Sequence, residues 1–389
     1  MFVALPSDPG DTRRRFPYVA SLDGIRGLLV FPVLLFHFTV SPGDGLDILA
    51  SGSFIAPSMF FTLSGFLITS LLLVEKEKKD RIDWVGFWRR RFRRLLPGSV
   101  AVILFVALVA VVRPQTWNLR PTEALAGLLS FKNWQDISYA GSETDGLRTL
   151  GPLSPFWSLS IEEQFYLGMS VVIGLAMLTK RWKLWMASAF VVLALYSAVS
   201  MALIDSTLNR EFFGTDTRAA ELVCGCLLAL AVAEWGWPRS RWWGAVGWVS
   251  LALTVYGWAT FTEHDGWILN GGLSAWALVN CGLVLGSSAM GSSFAKAFSF
   301  RPLVEIGKLS YPIYLCHWPV SLAIRPGTLQ LDGTGLLLTR IVVSIIVAVP
   351  LAYAVEAPIR SGRVLRGWAG PAAWAACVIV IVGLTRAAN

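Results

Sequence analysis

The stretch FWRRRFRRLLPGSVAVILFVALVAVV, residues 87–112, sets five arginines against an apolar run that reaches Val112 without another charge. About 20 apolar residues are what a helix needs to cross a bilayer, and basic residues beside such a run mark the side on which it is retained. The same alternation continues in both directions. Apolar runs at 22–40, 53–74, 95–112, 155–178, 184–204, 217–234, 242–260, 267–289, 308–326, 333–354 and 369–385 give eleven spans. The expected fold is all-α, a polytopic transmembrane helix bundle.

Composition agrees. The 389 residues are 55% hydrophobic and 15% charged, with a mean hydropathy of +0.59, where a soluble domain carries about 25% charged residues. Sorting the 33 Lys and Arg residues by loop tests the spans independently. Twenty-three fall on one side and seven on the other, with Arg26, Arg218 and Arg340 inside spans. The positive-inside rule then puts the N-terminus in the cytoplasm and the C-terminus outside it. The net charge of +8 is accounted for by loops facing anionic membrane lipids, with no nucleic-acid partner. Trp242, Trp243, Trp258 and Trp267 sit near span ends, where indoles favour the interface. The five cysteines lie inside spans and show neither zinc-ligand spacing nor a disulfide framework. Arg26 and His37 within the first apolar run mark it as a retained helix rather than a signal peptide.

Ionisable groups inside spans are costly and point to function. Arg26 and His37 are eleven residues apart, about three turns of helix, so both lie on nearly the same face. Histidine is suited to take and return a proton near neutral pH; the plain alternative is a polar residue packed between helices. Glu162 and Glu163 lie at the depth of His37, and one of them is expected to orient its imidazole, Glu162 first and Glu163 as the alternative. Arg91 and Arg94 in the basic cluster either anchor the topology or bind phosphate through the planar guanidinium fork. His317 follows Tyr311 and Tyr314 at helical spacing. Asp216, Arg218 and Glu221 gather at the outer face, and Glu356 and Arg360 are four apart and able to pair.

Together these segments resemble the acyltransferase 3 family of integral membrane acyltransferases. The resemblance covers roughly 18–360. It rests on Arg26 and His37 with ten residues between them, FFTLSGFLIT at 60–69, Arg91 and Arg94 ahead of LLP, and WSLSIEEQFY at 157–166. TDTR at 215–218, KLSYPIYLCHWP at 308–319 and EAPIR at 356–360 complete it. It implies a ten-helix core, after which residues 361–389 supply an eleventh span; residues 1–17 form a cytoplasmic tail. It also implies an acyl-CoA co-substrate with no metal, His37 as the catalytic residue, and Arg26, Arg91 and Arg94 at the donor. The implied acceptor is a glycan or glycolipid hydroxyl. The implied location is the cytoplasmic membrane, in some members with an extracytoplasmic acyl-handling domain as partner. Candidate pocket residues are Ser64, Trp157, Gln164, Tyr166, Arg218, Tyr311, Tyr314 and His317. The expected reaction has His37 deprotonate the acceptor for attack on the thioester; acylation of His37 itself is the alternative. A proton-coupled transporter or flippase using His37 and Glu162 is the competing class, although no inverted repeat supports it. The outer loop 113–154, with Trp117, Trp134, Asp136, Tyr139, Glu143 and Asp145, is the expected acceptor-facing segment.

Overall fold

Eleven principal helices carry the apolar runs, and a computed structural model describes residues 18–38, 47–115, 117–139, 151–203 and 208–388 of the chain. They are α1 Ala20–Phe38, α2 Ala56–Lys79, α3 Trp84–Val112, α4 Phe156–Ala176, α5 Trp182–Leu203 and α6 Thr215–Trp235. They continue as α7 Trp242–Thr260, α8 Leu273–Ser288, α9 Ser310–Ala323, α10 Gly333–Pro350 and α11 Ala369–Ala388. No strand occurs among the described residues. Among the described residues, six helical stretches are long and apolar enough to cross a membrane: Ala20–Phe38, Leu49–Lys79, Trp84–Val112, Trp182–Leu203, Gly333–Arg360 and Ala369–Ala388. The protein is a multi-pass membrane helix bundle. Within the loop 113–154, expected to face the acceptor, Glu143 and Asp145 lie outside the described residues, as does the tail 1–17.

The boundaries follow local chemistry. Helix α2 runs past its apolar stretch, because Lys76, Lys78 and Lys79 in its last turn complement the carbonyl end of the helix. It stops at Asp80, whose φ of 53° is left-handed, a conformation Asp tolerates better than most residues. The arginine cluster is not a loop, as its charge suggests, but the first turns of α3. Asp83 caps that helix, its Oδ1 accepting from the Gly86 amide at 2.8 Å, and nothing between Trp84 and Pro97 interrupts it. Arg91 and Arg94 therefore share a helical face at a spacing of three. The segment 267–289 is broken: Asn270 (ψ 45°) and Gly271 (φ 101°) are non-helical within the turn Ile268–Gly272, so regular helix resumes only at Leu273.

Helices α2 and α6 cross with their backbones in contact. A Cβ on Gly65 would lie 1.9 Å from the Leu222 carbonyl oxygen, and one on Gly225 would lie 1.9 Å from that of Thr62. Small residues permit such close packing in a bilayer, where apolar burial alone gives helices no reason to associate. Helices α5 and α11 turn Val192, Leu195, Val199, Ile379 and Val380 outward, as lipid contact requires. Buried Arg340 of α10 donates to the carbonyls of Phe38 (2.9 Å) and Ile324 (2.8 Å). It thereby satisfies the C-terminal ends of α1 and α9 together, the two helices that carry His37 and His317.

Candidate active site

Between the helices lies a cavity of about 100 Å³. Arg26 and Val33 of α1, Phe60 and Ser64 of α2, Arg91 and Arg94 of α3, Ser158 and Glu162 of α4, and Ser310, Tyr311 and Tyr314 of α9 line it. Besides Arg26 and Glu162, five of the sequence-derived site residues (Ser64, Arg91, Arg94, Tyr311 and Tyr314) thus converge from helices far apart in the chain.

At the basic end, Arg26 donates to Ser310 Oγ at 2.9 Å and pairs with Asp23 at 3.4 Å. Arg91 is stacked 3.5 Å above the centre of the Tyr166 ring. It faces Glu162 at 3.4 Å and Glu163 at 3.9 Å. Tyr166 donates to Glu162 at 2.7 Å, and the Ser64 hydroxyl is bonded to both Glu162 and Tyr166. The Glu162 carboxylate is therefore committed to Tyr166, Ser64 and Arg91. The expectation that Glu162, or Glu163 in its place, orients His37 is not met: both carboxylates face the arginine of α3.

The neighbour of His37 is another histidine. His317 Nε2 lies 3.3 Å from His37 Nδ1, and Val33 O lies 3.0 Å from the same nitrogen. His317 Nδ1 bonds in turn to Tyr314 O. A carbonyl only accepts, so each imidazole carries its proton on Nδ1. His37 Nδ1–H then points at Val33 O and at the lone pair of His317 Nε2, and its own lone pair resides on Nε2. Trp318 closes edge-on against His37, ring centres 5.4 Å apart, and its indole donates to Gly151 O at 2.9 Å.

Of the other candidates, the two tyrosines of α9 line the cavity with their hydroxyls bonded to the protein, and Gln164 and Arg218 lie outside its lining. Tyr311 donates to Leu95 O (2.7 Å) and shares a hydrogen bond with Ser99 (2.8 Å); Tyr314 donates to Pro155 O (2.7 Å) and bonds Ser158 (2.6 Å). Gln164 faces away, holding Trp134, Asn133, Thr215 and the Ser130 carbonyl at 2.6–2.9 Å. Arg218 is fully buried, grips Glu221 through two hydrogen bonds of 2.7 and 3.1 Å, and is covered by Phe61, Trp157 and Phe212. Asp216 pairs instead with Arg210 at 2.7 Å. Glu356 and Arg360 make no salt-bridge contact: Glu356 turns inward against α3, its Oε1 buried and unbonded. Ser310, Ser158 and Trp318 belong to the site but were not singled out. Their signal is membership of the KLSY, WSLS and CHWP segments.

The family model for this acyltransferase domain matches residues 19–357. The chain belongs to the acyltransferase 3 family. Among curated members, it is 33% identical over 330 residues to "Peptidoglycan O-acetyltransferase OatA" of Listeria monocytogenes, covering 81% of this chain and 51% of that one. It is 32% identical over 370 residues to "Putative peptidoglycan O-acetyltransferase YrhL" of Bacillus subtilis (88% and 55%). It is 29% identical over 326 residues to "O-acetyltransferase OatA" of Staphylococcus aureus (79% and 51%). The chain thus spans about half the length of these relatives. No solved structure matches it.

Proposed function

We propose that the protein is a membrane O-acyltransferase that takes an acetyl group from cytoplasmic acyl-CoA and delivers it to a hydroxyl of an extracytoplasmic or lipid-linked glycan. One observation carries this reading. A single cavity has three arginines at one end and reaches Val33, whose carbonyl holds His37, about 10 Å further along α1. The arginine end suits the phosphates of the donor, and the charge bias of the loops supports a cytoplasmic position for that end. A pantetheine arm laid along the cavity would bring its thioester toward His37. The relatives' names support acetyl as the acyl group and a peptidoglycan-type glycan as the acceptor.

In the reaction, His37 Nε2 removes the acceptor hydroxyl proton as the oxygen attacks the thioester carbonyl. The C–S bond breaks, the ester forms, and the thiolate recovers the proton from the His37 imidazolium to leave as free CoA. The Nδ1–H of His37, directed at His317 and Val33, keeps the reactive lone pair on Nε2 before the proton is taken up and again after it is returned. Glu162 and Tyr166 act on the donor side by holding Arg91.

The test is acceptor-dependent thiol release by purified protein given acetyl-CoA. His37→Gln is expected to bind CoA like the wild type and to lose turnover by roughly 10²–10⁴-fold, the usual contribution of a general base. Turnover retained in His37→Gln would remove the base from His37, since an amide cannot cycle a proton.

A further inference from the structure

Two opposite charges lie one helical turn apart on the same side of α3 without touching. Arg94 lines the cavity and makes no hydrogen bond or ion pair among the described residues. Glu356 is buried, and its Oε1 has no hydrogen-bond partner. Its position is fixed by Gly98, since a Cβ there would lie 2.4 Å from Glu356 Oε1 and 2.9 Å from Leu315 Cδ1. Arg94 and Gly98 are four residues apart, hence on one face of α3 about 6 Å along the axis. Glu356 reaches that spot because it ends the π-helical turn Leu351–Glu356, which interrupts the regular course of α10. Such turns recur at functional sites.

A carboxylate in direct contact would occupy the guanidinium fork, as Glu221 does at Arg218. A carboxylate held back by one turn balances the charge and leaves the N–H groups unspent. We propose that Glu356 is a positioning residue for Arg94: a counter-charge kept out of contact by the bare Gly98 surface, so that the fork remains directed at an anionic group of the donor. This rests on the reading of Arg94 as a donor-binding residue. A second consequence follows from sign. The same carboxylate repels the bound anion, so it limits affinity and speeds release of free CoA.

The experiment is CoA binding by calorimetry on the purified full chain in micelles, with KM and kcat measured alongside. Arg94→Ala should weaken CoA binding at least tenfold, a lost charge-assisted contact. Glu356→Gln keeps the shape and removes the charge; it should tighten CoA binding by roughly five- to thirtyfold and lower KM and kcat together as release slows. Gly98→Ala should act in the opposite direction, pushing the carboxylate toward Arg94, closing the pair and weakening CoA binding. Should either Glu356→Gln or Gly98→Ala fail to fold, the other decides alone. Unchanged or weaker CoA binding in Glu356→Gln, or unchanged or tighter binding in Gly98→Ala, overturns the proposal. A wild-type chain that binds no CoA, or an Arg94→Ala variant that binds it as well as the wild type, overturns the donor reading itself.

Discussion

Arg218 and Arg94 are the same residue type in two opposite settings. Arg218 has no exposed surface, donates through Nε and Nη2 to Glu221 and through Nη1 to the Phe212 carbonyl at 3.0 Å, and lies among three aromatic rings. Arg94 borders the central cavity with its donors uncommitted among the described residues. The difference teaches what makes a buried arginine functional. A guanidinium whose donors are spent on the protein holds helices together, while one facing a void with donors to spare is set for a ligand.

The largest effect should come from opening the sealed arginine. Arg218→Ala leaves Glu221 buried and unpaired, which costs about 3–5 kcal/mol. The measurement is thermal unfolding of the purified protein; a Tm equal to wild type would show that the Arg218 cluster is not structural. A smaller effect of a different kind is expected at the cavity. Arg91→Lys keeps the charge facing Glu162 but loses the planar stack on Tyr166 and the fork, so CoA affinity should fall roughly three- to tenfold while Tm falls less than in Arg218→Ala. Equal losses of Tm in the two variants would erase the distinction between the settings.

The smallest effect is expected in the short helix Lys132–Tyr139, where Lys132 pairs with buried Asp136. Burial pushes the Asp136 carboxyl up to about 7, against the pull of Lys132. An unfolded Asp ionises near ~3.9. The folded form therefore binds the proton more tightly, and this stabilising contribution is fully present below about pH 4 and lost as pH rises through about 7. Amide exchange in the helix Lys132–Tyr139, corrected for intrinsic rates, should show less protection at pH 8 than at pH 5. Asp136→Asn should flatten that dependence.

The spans were legible because lipid demands long apolar runs, and the basic residues beside them are counted easily. The convergence of Arg26, Ser64, Arg91, Arg94, Tyr311 and Tyr314 was legible only as a set of segments in order. Their contacts were not. Glu162 sits at a depth that suits His37, but depth along an axis says nothing about azimuth, and the helix turns that carboxylate toward Arg91 and Tyr166. The His37–His317 contact joins residues 280 apart, beyond any local spacing. Glu356 and Arg360 have ideal pairing distance on a regular helix, but the Glu356 carboxylate packs against Gly98 of α3, a neighbour no local spacing reveals.

The glycine crossing of α2 and α6 has a mechanical consequence. With backbone against backbone there is no layer of side chains to repack, so the wall carrying Phe60 and Ser64 is stiff. The facing wall is compliant, because α9 contains Pro319 and α10 passes through Pro350 into a π-turn, where missing or strained backbone bonds lower the resistance to bending. Any widening of the cavity to pass a bulky cargo must therefore be taken up on one side, like a vice with one fixed and one sprung jaw.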